Sequence, residues 1–378
     1  MAEPSRRTII ALDLLRFASA LMVVLYHFGS AFARAPSPVG VGMLAGLPLS
    51  SAGVAATWFG WVGVELFFVI SGFVIAMSAQ GASASSFLRR RVLRLLPAAW
   101  ICATVTLVVL AWAAPSLWLP LQWLMSVTFW PVGAGIDPSY WTLGIELVFY
   151  MLIAAGLGEA GTLTGIERRA LWIGALSTGF WLWALFAGWS APEATGSRQL
   201  QLLLLPHGCF FALGILAWAM LHDRVTVGRV VSFTLFTAIA LVEIAAHAIE
   251  RIHALTIEAS PWVPMLAFIA GLAVILGSLR LQSVLERWID ARLAATLGLM
   301  TYPLYLIHQE AGAALVATLM HHGMPMLPAM IATAGTVMVF AWWVARRGEP
   351  AVRAWLAARL DAIAAMPRAY RWPWPSAR

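Results

Sequence analysis

The sequence predicts an all-α protein, a polytopic bundle of about ten transmembrane helices, on three observations. The chain of 378 residues is 61% hydrophobic and only 11% charged, a scarcity of charge foreign to soluble domains of this length. Apolar windows of about 20 residues, the length that crosses a hydrocarbon core, recur along the chain. The basic residues are all arginine, and they gather at alternate ends of those windows.

The windows fall at 8–30, 57–79, 91–114, 140–158, 170–190, 199–221, 228–249, 261–279, 293–318 and 324–346. The first follows Arg6 and Arg7 and superficially resembles a signal peptide. It is too long for one, lacks a small-residue cleavage site and contains Arg16, so it reads as a span. The stretch 118–132 is apolar but short and bracketed by Pro120 and Pro131, which predicts a re-entrant or interfacial segment.

Charge then orients the bundle. Arg6, Arg7, Arg89, Arg90, Arg91, Arg94, Arg168, Arg169, Arg224, Arg229, Arg280, Arg287 and Arg292 share one side with seven arginines beyond the last window. Arg34, Arg198 and Arg251 stand alone on the other. This bias places both termini in the cytoplasm and requires an even number of crossings. It also explains the basic balance without nucleic acid, which is not expected as a partner. Residues 1–348 read as one membrane domain, and 349–378 as a cytoplasmic tail. Val352, Trp355, Leu356, Leu360 and Ile363 form an apolar stripe there, the pattern of an interfacial helix. Cys102 and Cys209 fall inside apolar runs, so no disulfide framework is indicated.

Ionisable groups inside spans are costly and call for an explanation. Arg16 and His27 are eleven residues apart, about three helical turns and about 16 Å along one face. Glu65, Glu146 and His308 fall at depths similar to that of His27, so two acids and two histidines form a candidate proton-handling set. Either glutamate could instead simply neutralise Arg16. His207, His222, His247 and His253 read as structural, and His321 and His322 as solvated. In "FLRRRVLRLLPAAW", Arg91 and Arg94 share a helix face, while Arg89 and Arg90 fit ordinary cytoplasmic charge. Together these four are also a candidate phosphate clamp. Ser71 lacks the G-x-S-x-G context of a nucleophile and reads as structural, and Gly72 as a helix-packing glycine.

Five segments in order, "LDLLRFASALMVVLYHFG", "GVELFFVISGFVIA", "FLRRRVLRLLPAAW", "YWTLGIELVFYML" and "LGLMTYPLYLIHQ", resemble the integral-membrane acyltransferase family 3, whose members O-acylate sugars and related cell-surface molecules. The resemblance implies that Arg16 and His27 are the essential pair, with Asp13 as the acid preceding them. It places the arginine-rich helix start on Arg91 and Arg94 and the helix acid on Glu146, and it draws in Tyr305 and His308. Leu14 and Leu147 depart from common family residues, and no hydrolase-like domain follows the last span. The implied donor is acyl-coenzyme A, with acetyl the habitual group, no permanently bound cofactor and no metal. The acceptor would be a polysaccharide, lipopolysaccharide or other glycan.

On this reading Arg89, Arg90, Arg91 and Arg94 dock the coenzyme, and Arg16 meets its pyrophosphate or pantetheine arm. His27 is the general base and Glu146 orients it; a covalent acyl-histidine is the other route. The Arg-only, Ala-rich composition points to a GC-rich bacterial genome, and hence to the inner membrane. The competing class is a transporter or flippase using the same polar residues. Against it, the two halves carry no paired, broken half-helices. A polysaccharide-assembly scaffold without catalysis is the third reading.

Overall fold

The computed structural model describes residues 9–32, 42–44, 50–157 and 161–365. Arg6, Arg7, Arg34, Arg368, Arg371, Arg378 and the tail beyond 365 lie outside the described residues, which contain no strand. The helices are α1 (Ile10–Tyr26), α2 (Ser51–Thr57), α3 (Val62–Ala79), α4 (Ala84–Ala113), α5 (Leu119–Val127), α6 (Trp141–Ala154), α7 (Leu163–Phe186), α8 (Ala191–Thr195) and α9 (Arg198–Leu202). They continue with α10 (Gly208–His222), α11 (Val227–Leu255), α12 (Trp262–Leu285), α13 (Ala291–Ile307), α14 (Glu310–His321), α15 (Met326–Trp343) and α16 (Glu349–Ala365).

Among the described residues, six helical segments are long and apolar enough to cross a membrane, and α6 and α10 are shorter apolar helices. The architecture is thus the expected polytopic bundle. Side-chain caps start several helices as the sequence dictates. Ser83 accepts from the Ser86 amide, Thr162 from that of Gly165, and Asp290 from those of Arg292 and Leu293.

Helix α10 is apolar on every face and buried from Gly208 to Ala219. It packs against α3, α7 and α11. Gly72 and Gly214 permit this approach: a Cβ on Gly214 would lie 1.9 Å from the Val69 carbonyl oxygen, and one on Gly72 2.2 Å from that of Phe211. A second core joins α4, α13, α14 and α15. Helix α1 lies between the two, packed on α3, α12 and α13. Trp112 and Trp118, around the junction of α4 and α5, are exposed, as interfacial anchors are.

Three expectations change. The first span is not a uniform α-helix: residues His27–Ala31 form a π-turn, closed by the Phe32 amide on the His27 carbonyl. The ninth span, 293–318, is broken between Ile307 and Glu310. The sixth begins at Gly208 rather than 199, because Leu204 adopts a left-handed conformation and Pro206 follows. Residues 119–127 are helical and return through a loop, consistent with a re-entrant piece. Helix α15 continues into α16 through a π-turn at Val344–Gly348.

Candidate active site

The π-turn and the α13–α14 break bring two imidazoles together. His27 Nδ1 lies 2.9 Å from the Val23 carbonyl oxygen and 3.1 Å from His308 Nε2. His308 Nδ1 lies 2.8 Å from the Tyr305 carbonyl oxygen. Carbonyls only accept, so each Nδ1 carries the hydrogen. His308 Nε2 is then a lone-pair acceptor facing His27 Nδ1–H, and His27 Nε2 keeps its own lone pair. Among the described residues, His27 Nε2 has no hydrogen-bond partner. This is the tautomer a general base requires. When Nε2 takes a proton, the Nδ1–H already faces two acceptors.

His308 is fully buried, and its neighbour Tyr305 places Oη 3.2 Å from Thr142 Oγ1. The break that frees His308 is held from outside the helix. Asp137 Oδ2 accepts the Glu310 amide and Oδ1 that of Ser139, so a loop carboxylate caps the start of α14. Burial pushes the Asp137 carboxyl up to about 6 despite these two bonds.

Glu146 does not reach His27. It accepts from Ser71 Oγ at 2.7 Å and from the Tyr150 hydroxyl. The expected orienting role therefore has no hydrogen bond behind it; His308 stands in that place. Ser71 ties α3 to α6 through Glu146. Arg16 pairs with Asp13 at 3.1 Å, with Arg94 and Tyr150 within electrostatic reach.

The four arginines at the start of α4 are unequal. Arg94 donates to Glu349, which is buried and also receives Arg353. Arg89 pairs with Asp361. Helix α16 thus supplies both carboxylates, and its Trp355 ring meets that of Trp100. Arg90 donates to the Ser78 carbonyl. Arg91 is buried over the Phe87 and Tyr150 rings, and its Nε lacks a partner. Among the described residues, Arg90 and Arg91 are the two of these four without a carboxylate partner.

Glu65 joins neither histidine of the pair. With His207 and Glu243 it forms a buried group whose ligand atoms lie within 4.8 Å of one another, close enough to hold a cation or share a proton. Glu243 accepts from His207 Nδ1 at 2.8 Å and from Trp181 Nε1 at 3.1 Å. Glu65 Oε2 and His207 Nε2 have no partner among the described residues. Sequence reasoning missed Glu243, although an acid inside the apolar run "TAIALVEIAA" is itself a signal.

A family model described as an acyltransferase domain matches residues 9–346. The "Exopolysaccharide production protein ExoZ" of Rhizobium meliloti is 32% identical over 109 residues, 26% of this chain and 34% of that protein. The chain thus spans about a third of the length of this curated relative. No solved structure matches it.

Proposed function

The chain belongs to the membrane acyltransferase family 3, and from that premise we propose that it moves an acyl group, acetyl by family habit, from acyl-coenzyme A to a hydroxyl of a cell-surface glycan. His27 is the general base. Its Nε2 takes the hydroxyl proton as the oxygen attacks the thioester carbonyl carbon. The tetrahedral intermediate then collapses, the C–S bond breaks, and the departing thiolate takes that proton from the imidazolium. The observation that carries this reading is the fixed Nδ1–H tautomer of His27, set by Val23 and His308.

The arginine-rich end of α4 lies on the cytoplasmic side in this scheme, where the coenzyme is made. Arg90 and Arg91 are the guanidinium groups available to its phosphates. Arg16 sits between them and the imidazole pair and lines the donor's route. Both termini face the cytoplasm, and the protein resides in the bacterial inner membrane. A polysaccharide acceptor is supported by the similarity to the exopolysaccharide production protein.

Incubating purified protein with labelled acetyl-coenzyme A and candidate glycans tests the proposal. Coenzyme release coupled to glycan labelling, lost in His27→Ala, is the expected result. Glycan movement across sealed vesicles without thioester consumption would instead identify a carrier and overturn it.

A further inference from the structure

A cavity of about 440 Å³ opens among α5, the loop that follows it, the start of α6 and Arg198 of α9. That volume lies within the range of small-molecule sites. The cavity lies beside the middle of α4, because α5 returns along that helix: Trp100 Nε1 donates to the Val127 carbonyl and the Tyr140 hydroxyl to that of Ala99. We propose that it seats an anionic saccharide unit of the acceptor. The inference rests on the acyltransferase reading above and names the substrate class of that site.

Three observations converge on this occupant. Phe129, Trp130, Tyr140 and Trp141 line the cavity together with Gln122. Aromatic faces suit the apolar C–H faces of a pyranose, and polar groups around them suit its hydroxyl rim.

The charge is the second observation. Arg198 also lines the cavity, and its partners are all neutral: the carbonyls of Pro131 and Trp141 and the side-chain oxygen of Gln201. Its Nη2 makes no hydrogen bond among the described residues. Gly144 gives this guanidinium its place, since a Cβ there would lie 2.3 Å from Nη2. Among the described residues no ion pair joins it to the nearby Asp137, whose oxygens accept the Ser139 and Glu310 amides. A half-buried guanidinium held by carbonyls at a cavity wall is an anion site.

Continuity is the third: Asp137, in the cavity wall, caps the helix that begins two residues after His308.

The anionic group is either the carboxylate of an acidic sugar or the phosphate joining a sugar to a carrier lipid. Calorimetry on the full-length protein in nanodiscs, with no acyl donor present, separates the two. The probes are glucuronate-, galacturonate- and mannuronate-containing disaccharides, their carboxyl-reduced counterparts, and the corresponding hexose 1-phosphates. We expect at least one charged probe to bind about tenfold more tightly than its neutral counterpart. Trp130→Ala should weaken binding of both, and Arg198→Gln should erase the difference. Should Arg198→Gln fail to fold, the charged and neutral pair on the wild-type protein carries the test. Tightening confined to carboxylates identifies an acidic sugar, and tightening confined to phosphates a carrier-linked one. Absent binding, equal binding of charged and neutral probes, or indifference to Trp130→Ala overturns the inference. A protein that binds these probes but never consumes acetyl-coenzyme A loses only the catalytic reading.

Discussion

His308 Nε2 stands 3.1 Å from His27 Nδ1, with the two rings 4.8 Å apart and inclined at 63°. The second imidazole thus occupies the position at which hydrolytic triads place a carboxylate. It is neutral, so it fixes the tautomer of His27 without burying a permanent charge in the bundle.

His27→Ala removes the base and should lower kcat by about 10²–10⁴. His308→Ala removes an acceptor for the imidazolium, worth about 1.5–3 kcal/mol or roughly 10–100-fold in kcat, with KM for the donor unchanged. His308→Gln, whose amide oxygen also accepts, should recover part of the loss. Steady-state kinetics on detergent-solubilised protein make the comparison, and equal activity in all three variants would eliminate the pair from catalysis.

Arg91→Ala should raise KM for acetyl-coenzyme A by about tenfold or more, because this guanidinium has no carboxylate partner to release before it meets phosphate. Arg89→Ala should have a smaller effect, since Asp361 already holds that group. Repeating the measurement with dephospho-coenzyme A thioester should narrow the gap between wild type and Arg91→Ala. An unchanged KM in Arg91→Ala places the donor elsewhere.

Glu349→Ala leaves Arg94 and Arg353 without their shared acceptor. We expect a loss of roughly 1.5–3 kcal/mol from the docking of α16, seen as a lower unfolding temperature and faster proteolysis of the tail. Thermal shift and limited trypsin digestion read both quantities.

Asp137 lies outside the spanning helices and titrates at about 6, above its ordinary 3.8. Its folded-state proton is bound more tightly than its unfolded-state one. The associated stability is therefore fully present below pH 3.8 and lost as pH rises through about 6, at most about 3 kcal/mol. Unfolding temperatures across pH 4–7 should decline in wild type and flatten in Asp137→Ala. A parallel slope in the two proteins removes Asp137 as the source.

The helices were legible because bilayer length and arginine placement are one-dimensional signals: a run of apolar residues and a charge count suffice to find α1, α4 or α12. Arg16 and His27 stood out as candidates for the same reason, since both are costly where they stand. Their partners were not. His308 was placed at the right depth, but depth does not say which helices are neighbours, so Glu146 was expected against His27 and binds Ser71 and Tyr150 instead. The break at His308 carries no glycine or proline; a carboxylate 173 residues earlier in the chain stabilises it. Glu349 reads as an ordinary tail acid until α16 packs along α4. Sequence periodicity describes one helix at a time, and these interactions each belong to two.

Asp137 is a mechanical joint as well as a cap. The same side chain forms part of the cavity wall and holds the amide of Glu310, two positions beyond His308. A molecule that displaces this carboxylate would remove the acceptor of the Glu310 amide, so cavity occupancy is expected to alter ring alignment. A variant that loosens the 128–137 loop should thus register as a change in chemistry without touching either ring.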